Sequence, residues 1–368
     1  MEFRAYIGTK VFFGEGVIAK EKEQFKGLGK RAGIICGKSS AKLSGALEQC
    51  VSALRDCDIQ YFVYDKIPNN PSVEDVQSAS VFSRENNVDF IIGIGGGSPI
   101  DAAKGVAVLT ANDMEPLGMY QASYPNDPLP LVAIPTTAGT GTEVTPYSVL
   151  TRNDLKTKKS FGNDKTFPCI AFVDANFTNS LPYSITIDTA IDAFTHALEG
   201  FLSKKANPYS DILAKEAIKI FGESLDALAN NDISFNTRKS LMYMSTLAGM
   251  VISHTGTTLM HGLGYNLTYY NDVPHGRANA YFLREYLKFN YDVEKEKIDL
   301  LIEILGLKSI DEFADKVDSC FRRDVKITLE QIETYAKTSI LQNNSKNSKK
   351  QVTQKDLHDI LVKSLKSL

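Results

Sequence analysis

Residues 88–105 read VDFIIGIGGGSPIDAAKG: a short apolar run that ends in three consecutive glycines and continues with a helical pattern. The isoleucine-rich run predicts a buried β-strand, and the residues after the glycines predict a helix. A glycine-rich turn between a strand and a helix exposes backbone N–H groups at the positive end of the helix dipole, where a phosphate can bind. The segment therefore predicts either a phosphate site or simply a tight βα turn.

The residues that follow the glycines suit the start of this helix. Ser98 is expected to cap it, Pro99 suits the first helical position, and Asp101 stands where a capping box places its acid. The turn does not carry the GxGxxG fingerprint, because Ser98 occupies the place of the last glycine.

A second loop follows a second predicted strand. The stretch IPTTAGTGTEVTPYS at 134–148 places several hydroxyls among glycines. Such a loop can offer a ligand many uncharged hydrogen bonds, although it can also be a plain Thr/Gly-rich linker. Two such loops after two parallel strands indicate the carboxyl edge of an open α/β sheet, where these folds bind ligands.

The rest of the chain indicates two domains. Apolar runs at 31–36 (RAGIIC) and 59–65 (IQYFVYD) alternate with helical patterns, which predicts a parallel sheet covered on both faces. From about residue 183 onward only helical periodicity is evident. We therefore predict a Rossmann-like α/β dinucleotide-binding domain over residues 1–182 and an all-helical metal-binding domain over residues 183–368.

Composition narrows the function classes. A chain of 368 residues suits about two domains. A net charge of −3 gives no electrostatic reason to bind nucleic acid or an anionic membrane, so we expect small-molecule partners or another copy of the chain. No apolar run is long enough to span a bilayer, and the first residues do not read as a secretory signal. Five cysteines without a CxxC pair predict reduced thiols in a cytoplasmic protein.

Three of the five histidines fall in two patches, DAFTH at 192–196 and LMHGLGYNLTYYNDVPHG at 259–276. On a helix, Asp192 and His196 lie one turn apart on the same face, as two metal ligands can. With His261 and His275 they would make one carboxylate and three imidazoles, a set that suits Fe²⁺ or Zn²⁺. The alternative is four unrelated residues in a helical core. His254 and His358 are interpreted as ordinary hydrogen-bonded core or surface histidines.

Four motifs taken together, GGGSPIDAAK, PTTAGTGTE, DAFTHALE and HGLGYNLTYYNDVPHG, resemble the iron-containing (group III) alcohol dehydrogenases, which have a dehydroquinate synthase-like fold. The resemblance implies a metal site in the cleft between the two domains, held by Asp192, His196, His261 and His275. It also implies a nicotinamide cofactor along the two loops. The residues expected to contact it are Gly37, Ser39, Gly96, Gly97, Ser98, Asp101, Thr136, Thr137, Thr140 and Thr145, with Asn70 and Lys158.

The chain departs from this family pattern at two places. Many members carry a second histidine four residues after the ligand, as a proton relay near the reacting groups, and here that position is Tyr265. A phenol can donate a hydrogen bond, so Tyr265 is the candidate catalytic residue. Its pKa near 10 makes it a poor proton relay at neutral pH, so either water serves instead or the histidine is not essential. NAD-preferring members often carry an aspartate after the second strand. Here Gly37, Lys38, Ser39 and Ser40 stand there without an acid, which favours NADP(H) over NAD(H).

The sequence thus predicts a metal-dependent NAD(P)(H) alcohol dehydrogenase. It would transfer hydride reversibly between the nicotinamide and a small alcohol or aldehyde, with Fe²⁺ or alternatively Zn²⁺ as the metal, in a homodimer or larger assembly. A glycerol or other polyol dehydrogenase, or a 3-dehydroquinate synthase, is the alternative on the same fold. From another class, the alternative is a non-catalytic NAD(P)-binding sensor whose closed four-ligand shell is a structural metal site.

Overall fold

The computed structural model describes residues 2–121 and 123–365. They form two compact units, Tyr6–Leu181 and the remainder of the described chain. The first unit is built on a parallel sheet and the second on helices, as the sequence predicts.

The described residues of the first unit form eight strands. They are β1 (Lys10–Phe13), β2 (Arg31–Cys36), β3 (Gln60–Tyr64), β4 (Phe90–Gly95), β5 (Leu131–Pro135), β6 (Ser148–Arg152), β7 (Thr157–Phe161) and β8 (Ile170–Val173). Six of them form one parallel sheet in the order β1-β8-β5-β4-β2-β3, while β6 and β7 pair as a separate antiparallel hairpin. The sequence predicts β2, β3, β4 and β5 and misses the other four.

Helices cover both faces of this sheet. They are α1 (Val17–Lys20), α2 (Ser40–Leu43), α3 (Ala46–Asp56), α4 (Val73–Glu85) and α5 (Gly97–Ala111). Successive strand residues point to opposite faces, so Ile34 packs with α1 and α3 in one apolar core and Ile35 packs with α4 and α5 in the other. Burial on both faces explains why β2 and β4 read as continuous apolar runs rather than alternating ones.

The second unit contains nine helices among the described residues. They are α6 (Tyr183–Leu202), α7 (Pro208–Ala229), α8 (Phe235–Thr255), α9 (Leu259–Asn271), α10 (His275–Ala280), α11 (Leu283–Ile304), α12 (Ile310–Ser319), α13 (Leu329–Ser339) and α14 (Gln354–Leu365). Capping residues mark the start of several of these helices. For instance, α7 begins at Pro208, directly after the capping box of Asn207. Almost every residue of α6 from Thr186 onward is buried, so this helix is the centre of the unit.

In the described part of the chain, no helix is both long and apolar enough to cross a membrane.

Candidate metal centre and cofactor loops

Three helices of the second unit bring predicted metal ligands together. Helix α6 carries Asp192 and His196, α9 carries His261, and α10 begins at His275. One ligand atom each from Asp192, His261 and His275 lies within 4.8 Å of the others. The helices are far apart in sequence, so this convergence is a product of the fold.

The spacing of these atoms suits a small divalent ion. Asp192 Oδ1 lies 3.7 Å from His261 Nε2 and 3.9 Å from His275 Nε2. Two ligands of a tetrahedral ion with bonds of about 2.1 Å lie about 3.4 Å apart. Asp192 and His261 are 4% and 1% exposed, whereas the His275 side chain is 24% exposed. The group is therefore buried except on the side of His275.

His196 stands beside this group rather than within it. It is buried, and its ring packs on that of His261 with centroids 4.6 Å apart and planes 20° apart. Of the four predicted ligands, the described geometry therefore groups three closely. The complete four-ligand set stays a prediction.

The charges in this cluster favour a bound cation. Burial disfavours the Asp192 carboxylate, but the charges of His196 and His275 and the hydrogen bond from His261 outweigh it and hold the Asp192 pKa below its usual range. Burial also disfavours a charged His261, yet Glu199 and Asp192 outweigh it and raise the His261 pKa to about 9. The buried carboxylates thus create a demand for positive charge that a divalent ion can satisfy.

Helix α10 is held tightly on α6 next to the cluster. A Cβ on Gly276 would lie 1.8 Å from the carbonyl oxygen of Asp188, so only glycine permits this approach. Arg277 also donates to both carboxylate oxygens of Asp188, at 3.0 and 3.1 Å. Since Asp188 precedes Asp192 by one helical turn, these contacts set the position of His275 relative to Asp192.

The predicted cofactor loops lie at one edge of the sheet in the first unit. Strands β2, β4 and β5 are parallel neighbours, so the residues that follow them come out at the same end. Gly37 and Ser39 follow β2, Gly96 follows β4, and Thr136 follows β5. The expectation of a shared carboxyl edge is confirmed.

The glycine-rich and threonine-rich loops touch one another. A Cβ on Gly96 would lie 3.1 Å from Thr137 Oγ1, and one on Gly97 would lie 2.6 Å from Thr140 Cγ2. The Thr136 amide donates to Gly95 O at 2.8 Å. The buried Thr136 hydroxyl has no hydrogen-bond partner among the described residues, as expected of a group reserved for a ligand.

Asn70 connects two further predicted contacts. Its backbone N–H donates to Ser98 Oγ at 3.0 Å, and its Oδ1 accepts from Lys158 Nζ at 2.6 Å. Asn70 has a φ of 53°, in the left-handed region that asparagine tolerates better than most residues. Three residues that are distant in sequence therefore form one polar cluster at the start of α5.

Asp101 has a different role from the helix cap predicted for it. Its Oδ1 accepts from Thr142 Oγ1 at 2.5 Å and its Oδ2 from the Val149 N–H at 2.8 Å. The buried Lys104 amine donates to Thr142 O at 2.8 Å and to Tyr147 O at 2.6 Å. One turn of α5 thus pins the threonine-rich loop that carries Thr140 and Thr145.

The predicted capping of α5 is wrong. The helix begins at Gly97 with Gly96 as its N-cap, and no side chain caps it. Ser98 and Pro99 therefore lie inside the first turn, and the Ser98 hydroxyl accepts from Asn70 instead. The first N–H groups of this helix have no capping side chain, which is the arrangement that binds anions.

Comparison with known proteins decides the family. The model of the iron-containing alcohol dehydrogenases matches residues 8–175, and the model of the C-terminal region of the Fe-containing alcohol dehydrogenase family matches residues 186–365. The chain belongs to the iron-containing alcohol dehydrogenase family. The sulfoacetaldehyde reductase of Bilophila wadsworthia (strain 3_1_6) is 32% identical over 331 residues, which cover 88% of this chain and 85% of that relative.

Solved structures agree with this membership. The iron-containing alcohol dehydrogenase of Thermotoga maritima is 37% identical, with a TM-score of 0.93, over 99% of this chain and all of that one (100%). The sulfoacetaldehyde reductase of Bifidobacterium kashiwanohense, solved in complex with NAD⁺, is 28% identical, with a TM-score of 0.87, over 98% of each chain. The protein is therefore an NAD(P)-dependent alcohol dehydrogenase, and membership of this family implies both a metal ion and a nicotinamide cofactor.

Two residues at the metal centre are missed by the sequence analysis. Glu199 is fully buried, and one of its oxygens contacts His261 Nδ1. Asn279 Nδ2 lies 3.3 Å from Asp192 Oδ1 and 3.2 Å from His261 Nε2. Asn279 Oδ1 is buried without a hydrogen-bond partner among the described residues, which places an unsatisfied polar group beside the ligands.

Helical spacing could have indicated both residues. Glu199 lies seven residues after Asp192 on α6, and Asn279 lies four residues after His275 on α10, so each shares a helix face with a predicted ligand. A search of each motif for all polar residues on the ligand's helix face would have found Glu199 and Asn279.

Tyr265 lies one turn after His261 on α9, and its ring packs on the imidazole of His275. The aromatic residue that replaces the family histidine therefore touches a predicted ligand. The catalytic role expected for its hydroxyl stays a prediction.

Proposed function

We propose that Asp192, His196, His261 and His275 hold one catalytic divalent ion, Fe²⁺ or alternatively Zn²⁺. The observation that carries this proposal is the convergence of three ligand atoms from α6, α9 and α10 within 4.8 Å, two of them on buried residues and the third on the half-buried His275. One carboxylate and three imidazoles form a donor set that both ions accept. His196 is included as the fourth ligand because it lies one turn from Asp192 on the same face of α6 and its ring packs on that of His261.

When bound, the ion supplies positive charge that polarises an aldehyde oxygen or lowers the pKa of an alcohol. The chain's own residues prepare the place for that chemistry. Asp192 and Glu199 provide buried negative charge, and the apolar surroundings of α6 exclude water. Arg277 and Gly276 keep His275 aligned with Asp192.

We infer that the unit Tyr6–Leu181 binds the nicotinamide cofactor along its two loops, while the helical unit holds the metal. The open N–H groups at the start of α5, the unsatisfied Thr136 hydroxyl and the Asn70–Ser98–Lys158 cluster all support this inference. The cofactor supplies or accepts hydride at C4 of its ring, and the pinned threonine-rich loop orients it. Asp101 contributes by fixing this loop.

We propose that NADP(H) is preferred over NAD(H). The segment after β2 contains Gly37, Lys38, Ser39 and Ser40, with Lys38 and Ser39 exposed and no acid among them. A carboxylate at this place would accept a hydrogen bond from the ribose 2′-hydroxyl and repel a 2′-phosphate. Hydroxyls and a cation favour the phosphate.

We propose a small alcohol or aldehyde as the substrate. Two of its relatives are named sulfoacetaldehyde reductases, and a short aldehyde substrate for this protein is consistent with those names. A homodimer or larger assembly and a cytoplasmic location are part of the same proposal.

The polyol dehydrogenase on the same fold and the non-catalytic sensor with a structural metal remain the alternatives. Removal of the metal separates the sensor from the enzyme. A structural ion stabilises the folded state, so its loss unfolds the helical unit, whereas loss of a catalytic ion abolishes turnover first. Turnover rates on a panel of carbonyl compounds that includes dihydroxyacetone distinguish a polyol dehydrogenase from a dehydrogenase of simple alcohols.

Metal reconstitution tests the proposed function. Chelated protein would receive Fe²⁺, Zn²⁺ or buffer, together with NADPH or NADH and butanal, and absorbance would be followed at about 340 nm, where reduced nicotinamides absorb. We expect metal-dependent oxidation that is faster with NADPH. Absence of turnover with every metal and across a panel of short aldehydes, in protein whose fold is intact by circular dichroism, would contradict it.

A further inference from the structure

The Glu199 carboxylate joins two helices at the metal centre. It projects from α6, is fully buried (0% exposed), and uses both oxygens. Its Oε2 contacts His261 Nδ1, while its Oε1 accepts from Thr258 Oγ1 at 2.6 Å and from the Met260 N–H at 2.8 Å. Both oxygens of this buried carboxylate therefore have protein partners, and we consider two roles for them.

One purpose is to cap α9. The first N–H groups of a helix lack partners within the helix, and Thr258, the N-cap of α9, makes no side-chain cap bond. Glu199 supplies the missing acceptor from another helix, and its negative charge suits the positive end of the α9 dipole. The helix that carries His261 therefore starts at a point fixed by α6.

The other purpose concerns the His261 ring. A neutral imidazole that donates Nδ1–H to a carboxylate keeps the lone pair on its other nitrogen. That nitrogen, Nε2, is the one that lies 3.7 Å from Asp192 Oδ1, inside the ligand group. The contact with Glu199 thus sets both the direction of the ring and which nitrogen faces the ion.

We propose that Glu199 is a positioning residue for the metal centre, which caps α9 and fixes the metal-binding tautomer of His261. This inference rests on the proposed metal centre and deepens it. Glu199 is not itself a ligand, since both of its oxygens serve the protein.

A chain of hydrogen bonds leads from Tyr286 through Thr258 to Glu199. Thr258 donates to Glu199, and the Tyr286 hydroxyl, 3.0 Å away, donates in turn to Thr258. Tyr286 is 1% exposed and its pKa is raised well above 10 because burial disfavours the phenolate, so it stays a donor. The carboxylate is consequently held in one orientation.

The test is the affinity of the metal-free protein for Zn²⁺, measured by competition with a chromophoric chelator. Glu199→Gln keeps an oxygen that can accept from Met260, but its amide N–H₂ faces His261 Nδ1 and moves the imidazole proton to Nε2. We expect Zn²⁺ binding to weaken about 10- to 100-fold, the usual effect of losing such a partner.

Two control variants frame this measurement. Asn207→Ala removes the cap of α7, in the same unit and away from His261, so it perturbs a helix start without touching the site. Its Zn²⁺ affinity should equal that of the wild type. Asp192→Asn removes a proposed ligand and should abolish tight binding.

The outcomes separate the two proposals. If the wild type binds no Zn²⁺, the proposed metal centre fails. If the wild type binds Zn²⁺ tightly, Asp192→Asn loses it, and Glu199→Gln stays within about twofold of the wild type, then only the positioning role of Glu199 is overturned. If Glu199→Gln does not fold, Thr258→Val replaces it. That variant keeps the charge but removes one donor, and a several-fold weaker affinity supports the proposal, while an unchanged one overturns it.

Discussion

The ring of Tyr265 lies parallel to the imidazole of His275, with centroids 5.3 Å apart and planes 15° apart. The position is the one where many family members carry a histidine, and a phenol is a poor proton relay at neutral pH. Stacking gives Tyr265 a different purpose, because the flat ring limits the orientations that His275 can adopt. The Thr268 hydroxyl, 3.4 Å from His275 Nδ1, braces the same imidazole from α9.

Tyr265→Phe tests whether the hydroxyl matters. We expect kcat and its pH profile to stay close to those of the wild type, since the stacked ring is retained. Loss of a true proton relay would lower kcat about 100-fold or more. Tyr270→Phe, on an exposed tyrosine of the same helix, serves as the matched control. A large fall in kcat with a shifted pH profile, confined to Tyr265→Phe, would show that the phenol carries a proton.

Ser39→Asp tests the cofactor preference. The new carboxylate should repel the 2′-phosphate of NADPH and accept a hydrogen bond from the 2′-hydroxyl of NADH. We expect the ratio of kcat/KM for NADPH over NADH to fall about 10-fold or more, equivalent to about 1.4 kcal/mol. Ser52→Asp places the same charge on an exposed position of α3 and should leave the ratio unchanged. An unchanged ratio in Ser39→Asp would remove the argument for NADP(H).

Lys104→Met tests the pin between α5 and the threonine-rich loop. Lys104 is 1% exposed and its Nζ lies 3.9 Å from Asp101 Oδ1, so its removal deprives a buried carboxylate of its neighbouring ammonium group. We expect the free energy of unfolding to fall by about 3–5 kcal/mol in denaturant titrations.

Lys219→Met is the control for Lys104→Met. It breaks an exposed pair with Glu223, 3.8 Å away, and should cost less than about 1 kcal/mol. Equal effects of the two substitutions would mean that the buried pair contributes no more than a surface one.

The Cys36 thiol is expected to lower the free energy of unfolding at alkaline pH. Burial, helped by the charge of Asp65, raises the pKa of this thiol from 9.0 to about 11. Between these values the folded state keeps a proton that the unfolded state releases, so the free energy of unfolding falls as pH rises above 9, by at most about 3 kcal/mol.

The measurement compares denaturant titrations of the wild type and Cys36→Ala at about pH 8, below the range in which the two states differ in protonation, and at about pH 10.5, within it. The variant is less stable at both pH values because of the cavity, but it should lose less stability between them. An identical pH dependence in the two proteins would show that Cys36 does not titrate as proposed.

The sequence predicts those elements of the fold that have a continuous hydrophobic pattern. Strands β2 and β4 are apolar runs because both of their faces are buried, and the adjacent loops could be placed at one sheet edge for that reason. The short β1 and β8 have four residues each, too few for a periodic signal. The polar β7, TKKSF, belongs to a separate hairpin and lacks an apolar pattern.

The same distinction applies to the site. Asp192 and His196 lie one turn apart on the same helix, so the sequence alone predicts them as a pair. The contact of Glu199 with His261 depends instead on the packing of α6 against the start of α9. The capping predicted for Ser98 was wrong because Gly97, which lies against Thr140, lets the helix begin earlier. Close contacts of this kind involve residues more than 40 positions apart, and local sequence does not specify them.

The central claim is that Asp192, His196, His261 and His275 hold one divalent ion. It is tested most directly by anomalous diffraction at the zinc edge on crystals of Zn²⁺-loaded protein. We predict a single strong peak among Asp192 Oδ1 and the Nε2 atoms of His261 and His275, with the His196 ring turned to supply the fourth ligand. No peak at this place, or an ion held by other residues, would contradict the account.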